Sequence, residues 1–311
     1  MNPSFNRSYF VRISLILFIA LILVLPSTLQ RTERNTLSAQ TDLTGIRVGV
    51  FNAGTLAAGS DVALYHMFEW MGATVEYVDG PAIRGGILNS LDILAFPGGS
   101  MLSFSFNLTQ TGMEQIRIFV ASGGSYFGIC GGALFATEFL GFCTGSWATD
   151  IPGISGGIHL TEMTVHQDCT GPDLSDEPST YRTLYWGSSF FTPENPTNII
   201  PIMSYPENEE PGMFVARYGS GTLFCSSPHP EYEEGDSRDG TSQYDYLNDP
   251  DSEWILLHKI SQWLINESPY NPGASLPPGG LAIILVVIFA TGISIIAIGA
   301  AYYYRHKQRN T

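Results

Sequence analysis

Short apolar segments alternate with helix-like segments between residues 46 and 140. Continuous apolar runs of four or five residues predict buried strands, since a strand covered on both faces shows no polar alternation. The predicted strands are residues 47–51, 74–78, 93–96 and 126–129. The predicted helices are residues 61–71, with Ser60 as N-cap and Gly72 at the end, and 111–121. This alternation predicts an α/β fold with a mostly parallel sheet flanked by helices.

The pattern becomes rich in strands after Gly141. The predicted strands are residues 157–165, 183–186, 199–204, 213–218 and 222–226, and we expect them to extend or flank the same sheet. Residues 253–265 carry apolar side chains at helical spacing and predict a last helix with one buried face. Residues 46–267 are therefore interpreted as one domain.

The C-terminal part of the chain has the composition of a membrane anchor. Residues 281–304 are apolar, small or aromatic except for one threonine and one serine, and a helix of this length crosses about 30 Å of hydrocarbon. Residues 305–311 are basic and predict a cytoplasmic tail. Residues 268–280, with four prolines and three glycines, predict a semi-stiff stalk. The sequence thus predicts a transmembrane helix and an extracytoplasmic main domain at the cell membrane.

The N-terminal residues 1–26 have the composition of a signal peptide or a signal anchor. An apolar run at residues 13–25 is interrupted only by Ser14 and follows Arg7 and Arg12. Whether this segment is cleaved is left open. The chain crosses the membrane once if it is cleaved and twice if it is retained, and the main domain lies outside in both cases. Residues 27–45 are polar and predict a linker.

The charge of the outward part argues against nucleic acid as a partner. All 29 acidic residues but only nine of the 14 basic residues lie between residues 31 and 267, which gives a net formal charge of −20 there. Such a surface repels phosphate backbones. We expect a soluble, self-repelling domain. The acidic stretch 231–253 lacks the spacing of a calcium loop and is interpreted as a solvated loop.

Four cysteines raise the question of disulfides and metals. Cys143 and Cys169 lie in polar, loop-like sequence and are the preferred disulfide pair, whereas Cys225 lies in an apolar strand and is expected in the core. His159, His166 and Cys169 amount to at most half a metal site. We therefore predict no metal and no cofactor.

The sequence Gly128-Ile129-Cys130-Gly131-Gly132 carries the main chemical signal. It lies between a strand and a helix, where a nucleophile on a sharp turn needs glycines around it. The amino end of a helix lowers the pKa of a thiol, so Cys130 is the candidate nucleophile. His229 and Glu231 follow a later strand and are the candidate base and its orienting carboxylate.

Two glycine turns are candidates for binding an oxyanion. Gly131 follows the nucleophile, and Gly98 and Gly99 end an earlier strand. The carboxyl ends of parallel strands line one crevice, so these residues can converge with His229. The alternative is that each turn only reverses the chain and that Cys130 is a small packing residue.

The chain resembles the class I glutamine amidotransferase-like superfamily, and in particular the biotin-protein ligase N-terminal domain family. The blocks that carry the resemblance are residues 91–99, 128–133, 184–191 and 221–231. The resemblance implies a flavodoxin-like sheet over residues 46–265 and a Cys130, His229 and Glu231 triad. It does not imply ligase activity, because stalk and span are predicted where a ligase domain would follow.

The sequence therefore predicts a membrane-anchored, extracytoplasmic cysteine hydrolase that acts on a small amide or peptide-like bond. The alternative is a catalytically inactive binding module on the same scaffold. A third interpretation, a sensing subunit of a membrane complex, is disfavoured because residues 281–301 contain no charge for pairing within the membrane. No feature identifies a protein partner. The aromatic segment 186–191 is interpreted as core rather than as a pocket wall.

Overall fold

The computed structural model describes residues 42–235, 237–249 and 251–269. The strands are β1 (Arg47–Phe51), β2 (Thr74–Val78), β3 (Ile93–Phe96), β4 (Ser125–Ile129), β5 (Gly145–Ala148), β6 (Ile158–Val165), β7 (Thr180–Trp186), β8 (Phe190–Pro193), β9 (Ile199–Ser204), β10 (Pro211–Tyr218) and β11 (Gly221–Ser226). The helices are α1 (Ser60–Trp70), α2 (Gly80–Arg84), α3 (Met101–Ala121), α4 (Gly131–Glu138) and α5 (Trp254–Asn266).

Nine strands form one sheet in the order β2-β1-β3-β4-β11-β10-β9-β6-β7. The five strands from β2 to β11 pair in parallel, and every pairing from β11 to β7 is antiparallel. The predicted α/β fold is confirmed, with the parallel region covering just over half of the sheet. Strands β3, β4 and β11 are adjacent, so their carboxyl ends lie side by side.

Helix α3 is longer than the pattern predicted. It begins at Met101 rather than near residue 111, and it is divided at Thr109, where φ is 59° and ψ is 173°. The predicted helix corresponds to the part after this break. Arg84 Nη1 donates to the carbonyl oxygens of Asn107 and Leu108, at 2.7 and 3.0 Å, so carbonyls next to the break have partners.

Two apolar clusters cover the two faces of the sheet. One contains buried residues of β1, α1 and α5, such as Val48, Leu64 and Leu257. The other contains residues of α3 and α4 and an aromatic stack. In that stack Phe96 lies 4.5 Å from Phe51 and 5.4 Å from Tyr126 between ring centroids. The elements that carry the glycine turns are therefore anchored in the core.

The predicted signal, the stalk beyond residue 269 and the predicted span at 281–304 lie outside the described residues. Among the helices within residues 42–269 that are described, none has both the length and the apolar character needed to cross a membrane.

We predict that Phe96→Ala lowers the free energy of unfolding by about 3–5 kcal/mol, because it removes a fully buried ring from the stack. Phe106→Ala is the matched control, since its ring is 79% exposed, and we expect a change within about 0.5 kcal/mol. Urea unfolding followed by fluorescence measures both. Equal losses of unfolding free energy in the two variants would contradict the prediction that the aromatic stack stabilises the fold.

Candidate active site

Cys130 occupies a strained turn between β4 and α4. Its φ of 50° and ψ of −114° lie in a region that side-chain-bearing residues rarely adopt, at a typical cost of about 1–3 kcal/mol. The Cys130 N–H donates to the carbonyl oxygen of Ser226 at 2.6 Å, which ties the turn to β11. A Cβ on Gly132 would lie 2.4 Å from the oxygen of Phe96, so the turn requires glycine there.

His229 lies next to this turn on the segment that follows β11. Its side chain is fully buried, and its backbone N–H donates to the carbonyl oxygen of Leu184 at 2.9 Å. Its Nδ1 is hydrogen bonded to Oε1 of Glu231 at 2.9 Å. A Cβ on Gly98 would lie 2.7 Å from Cε1 of His229, so the ring packs directly on the turn after β3.

Glu231 is held by a residue that the sequence did not identify as part of the site. Ser60 Oγ donates to Glu231 Oε1 at 2.6 Å, and the same hydroxyl accepts the N–H of Gly98 at 2.9 Å. The prediction that Ser60 caps α1 was wrong. Gly59 is the N-cap residue, and the Ser60 hydroxyl contacts the site instead.

The electrostatics of the pair favour a thiolate beside an imidazolium. Burial on its own raises the pKa of the Cys130 thiol, but the charge and hydrogen bonding of His229 outweigh it and the net pKa is lowered. Burial on its own lowers the pKa of His229, but Glu231 and Cys130 together raise it well above its ordinary range. Transfer of the thiol proton to the imidazole in this way activates a cysteine.

The apposition of Cys130 and His229 is looser than an ideal hydrogen bond. Within the described residues, Nε2 of His229 has no hydrogen-bond partner of normal geometry, although each of the two side chains shifts the pKa of the other. Sites without substrate often show such loose contacts, which tighten on binding. Cys130 is partly exposed, whereas His229 and Glu231 are completely buried.

The three candidate oxyanion glycines differ in their availability. The N–H of Gly98 already donates to Ser60. The backbone N–H of Gly131 is close enough to the Cys130 sulfur to contribute to lowering the pKa of that thiol. A Cβ on Gly131 would lie 2.9 Å from the nitrogen of Gly99, so these two backbones are in direct contact. Of the three predicted donors, Gly98 is therefore already bonded, whereas Gly99 and Gly131 lie against each other at the turn that carries Cys130.

The aromatic segment 186–191 is divided between site and core. The half-buried Trp186 ring lies 5.5 Å from that of His229, between centroids, and 5.7 Å from Tyr244. Phe191 is fully buried and stacks on Phe214 at 4.8 Å. The core interpretation holds for Phe191, while Trp186 covers the histidine. A separate cavity of about 710 Å³ between residues 141–144 and β10 is lined by none of the candidate site residues.

The cysteines outside the site are free thiols, so the prediction of a Cys143–Cys169 disulfide was wrong. Cys143 is buried in the cluster that contains the aromatic stack, whereas Cys169 packs against the cluster on the other face of the sheet. Cys225 is fully buried, as predicted. Among the described residues, no group of three or more His, Cys, Asp or Glu side chains is arranged to hold a metal ion.

The acidic segment after His229 is partly packed against the domain rather than wholly solvated, which corrects the sequence interpretation. Its buried carboxylic acids outside the site are Glu233, Glu234, Asp239, Asp249 and Glu253. Glu233 pairs with Arg238 at 2.6 Å. In the part of the chain that the structure describes, one oxygen each of Glu234 and Glu253 has no hydrogen-bond partner. Burial raises the pKa of Glu234 to about 8, and burial and the neighbouring Glu234 raise that of Glu253.

Comparison with known proteins gives one family match. Residues 87–155 match the family described as "Biotin-protein ligase, N terminal". The matched segment contains Gly98, Gly99, Cys130 and Gly131, and it confirms the predicted resemblance over this part of the chain. His229 and Glu231 lie outside it. No curated protein shows a significant sequence match.

Solved structures with similar folds have low sequence identity to this chain. A glutamine amidotransferase from Thermotoga maritima is 16% identical, with a TM-score of 0.49, and the alignment covers 71% of this chain and 96% of that one. A putative ThuA-like protein from Bacteroides uniformis is 11% identical, with a TM-score of 0.49, and the alignment covers 76% and 98% of the two chains.

We predict that the protein loses stability as the pH rises towards about 8. Glu234 has a higher pKa in the folded chain than the usual 4.5, so the folded state binds more protons between these values and stability falls as they leave. Glu234→Gln should raise the melting temperature at about pH 8 and flatten its dependence on pH. Glu207→Gln, at an exposed position, is the control. Identical pH profiles for wild type and Glu234→Gln would contradict the prediction.

Proposed function

We propose that this protein is a cysteine hydrolase that cleaves an amide bond in a small amide or peptide-like substrate. The observation that supports it most strongly is the strained turn at Cys130 beside the fully buried His229, with Glu231 bonded to Nδ1 of the imidazole. A packing cysteine requires neither the strained backbone nor the buried imidazole–carboxylate pair.

In the first step the Cys130 thiolate attacks the carbonyl carbon and forms a carbon–sulfur bond, while the carbonyl electrons move onto oxygen. The N–H groups of Gly99 and Gly131 stabilise this oxyanion. His229, protonated at Nε2, then gives its proton to the leaving nitrogen as the carbon–nitrogen bond breaks. The products of this step are a free amine and a thioester on Cys130.

In the second step water attacks the thioester carbonyl while the neutral Nε2 of His229 accepts a proton from it. Collapse of the second tetrahedral intermediate breaks the carbon–sulfur bond, releases the carboxylic acid and restores the thiolate beside the imidazolium. Glu231 keeps Nδ1 protonated throughout and stabilises the ring whenever it is positively charged. Trp186 and the burial of His229 limit access of bulk water to the ring.

The competing function is a binding module on the same scaffold. Two observations favour it: the contact between Cys130 and His229 Nε2 is loose, and none of the candidate site residues lines the 710 Å³ cavity. The reactivity of the thiol separates the two functions, because a module that only binds its ligand has no need of a thiolate.

We further propose that the domain faces outward and is tethered at the cell membrane through residues 281–304. This rests on the uncharged composition of that segment and on the basic residues that follow it.

We predict that iodoacetamide at neutral pH labels Cys130 before Cys169. Both are partly accessible, but the pKa of Cys130 is lowered, and burial raises that of Cys169. Mass spectrometry of peptides after timed labelling measures the order. His229→Asn should slow labelling of Cys130 by about tenfold or more, since one pKa unit is a tenfold change in the thiolate population. Labelling of Cys130 no faster than of Cys169 would remove the nucleophile assignment.

We predict that Cys130→Ser reduces hydrolysis of any carboxamide or short-peptide substrate by at least about a hundredfold, because the hydroxyl is not ionised by His229. Cys169→Ser is the matched control and should keep wild-type turnover. A substrate panel with released amine as the readout measures this. Full turnover by Cys130→Ser would refute the thioester mechanism.

The membrane proposal predicts that protease added to intact cells releases a fragment containing Cys130 and leaves residues 305–311 protected. Immunoblotting with one tag in the domain and one at the C-terminus follows both parts. Loss of the C-terminal tag with an intact domain would show that the orientation is the opposite of the one proposed.

A further inference from the structure

The hydroxyl of Ser60 connects two parts of the site that lie far apart in the chain. Its oxygen lies 2.6 Å from Oε1 of Glu231, 171 residues later, and 2.9 Å from the backbone nitrogen of Gly98. Ser60 is completely buried. Because the Gly98 N–H can only donate and the Glu231 carboxylate can only accept, the hydroxyl hydrogen must point towards Glu231.

The carboxylate depends on this contact for its orientation. Oε1 of Glu231 is shared by Ser60 and His229, whereas Oε2 is buried and has no hydrogen-bond partner in the described part of the chain. The backbone of Glu231 is fixed independently, because its carbonyl accepts a hydrogen bond from Trp254 Nε1 at 3.0 Å. Ser60 and His229 therefore select which carboxylate oxygen faces the imidazole.

The same hydroxyl also helps to hold the turn after β3, together with the backbone hydrogen bond from the Ala57 N–H to the Gly98 oxygen at 2.9 Å. It accepts the N–H of Gly98, so that group is already bonded and is not available to an oxyanion. The next residue, Gly99, lies against Gly131, where a Cβ would meet the Gly99 oxygen at 1.9 Å. Holding Gly98 thus contributes to keeping Gly99 beside Gly131, where the oxyanion is expected.

We infer that Ser60 is a positioning residue for the reaction: it holds the Glu231 carboxylate against His229 and keeps the Gly98–Gly99 turn in register with Gly131. The inference rests on the proposed function. Without the hydroxyl the carboxylate is free to rotate away from Nδ1, the imidazolium loses part of its stabilisation, and the Cys130 thiolate loses part of its counter-charge.

The test measures the rate of Cys130 alkylation by iodoacetamide against pH, which needs no substrate. Ser60→Ala should shift the reactivity profile to higher pH and slow labelling at neutral pH by about tenfold, as one pKa unit requires. Ser125→Ala is the matched control. Ser125 is also fully buried, and its hydroxyl is hydrogen bonded to Thr222 Oγ1 at 3.0 Å at the far end of β4. It should lower thermal stability without shifting the profile.

Replacement of Ser60 by threonine or by valine distinguishes a positioning role of the hydroxyl from a packing role of the side chain. Ser60→Thr keeps the hydroxyl and should restore the wild-type profile. Ser60→Val, in which the side chain has the shape of threonine but no hydroxyl, should behave like Ser60→Ala. This pair also serves if Ser60→Ala does not fold. In a Glu231→Gln background, Ser60→Ala should change thiol reactivity by less than about a further twofold, because Ser60 affects the thiolate through that carboxylate rather than through the Gly98–Gly99 turn.

The outcomes separate this inference from the proposed function. A reactive wild-type Cys130 whose profile is unchanged in Ser60→Ala, or is equal in the Thr and Val variants, overturns the role of Ser60 and leaves the hydrolase intact. A wild-type Cys130 no more reactive than Cys169 overturns the proposed function itself. A shifted profile in Ser60→Ala that Ser60→Thr reverses supports both.

Discussion

The arrangement depends on the close approach of two backbone turns, at Gly98–Gly99 and at Cys130–Gly131. A Cβ on Gly131 would lie 1.9 Å from the oxygen of Gly99, so no other residue fits there without moving one turn. This contact fixes the nucleophile against the turn after β3. The His229 ring packs against that turn, and the Ser60 hydroxyl links the turn to Glu231 by two hydrogen bonds. The positions of the candidate site residues therefore depend on how the two turns at the strand ends pack against each other.

Much of this could be predicted because the relevant signals are local. Apolar runs identify buried strands, and glycines around Cys130 identify a sharp turn between strand and helix. Parallel pairing of adjacent strands then brings the ends of β3, β4 and β11 to one edge. These local patterns and one topological rule predict that Cys130, His229 and the glycine turns lie at the same edge of the sheet.

What the sequence did not reveal depends on contacts between distant segments. Ser60 has the local pattern of a helix cap, and only the folded chain shows its hydroxyl on Glu231. The acidic segment after His229 looks solvated because local composition cannot show that Glu234 and Glu253 are buried. The cysteine pairing failed for a related reason, since Cys143 and Cys169 pack against different faces of one sheet.

The central claim is that a thiolate at Cys130 keeps His229 protonated, with Glu231 holding the other ring nitrogen. The most direct test is the nitrogen NMR spectrum of the His229 ring at neutral pH in wild type and in Cys130→Ser. The account predicts a doubly protonated ring in the wild type and a pKa that falls when the thiolate is removed. A neutral His229 ring in the wild type, or a spectrum unaffected by Cys130→Ser, would contradict it.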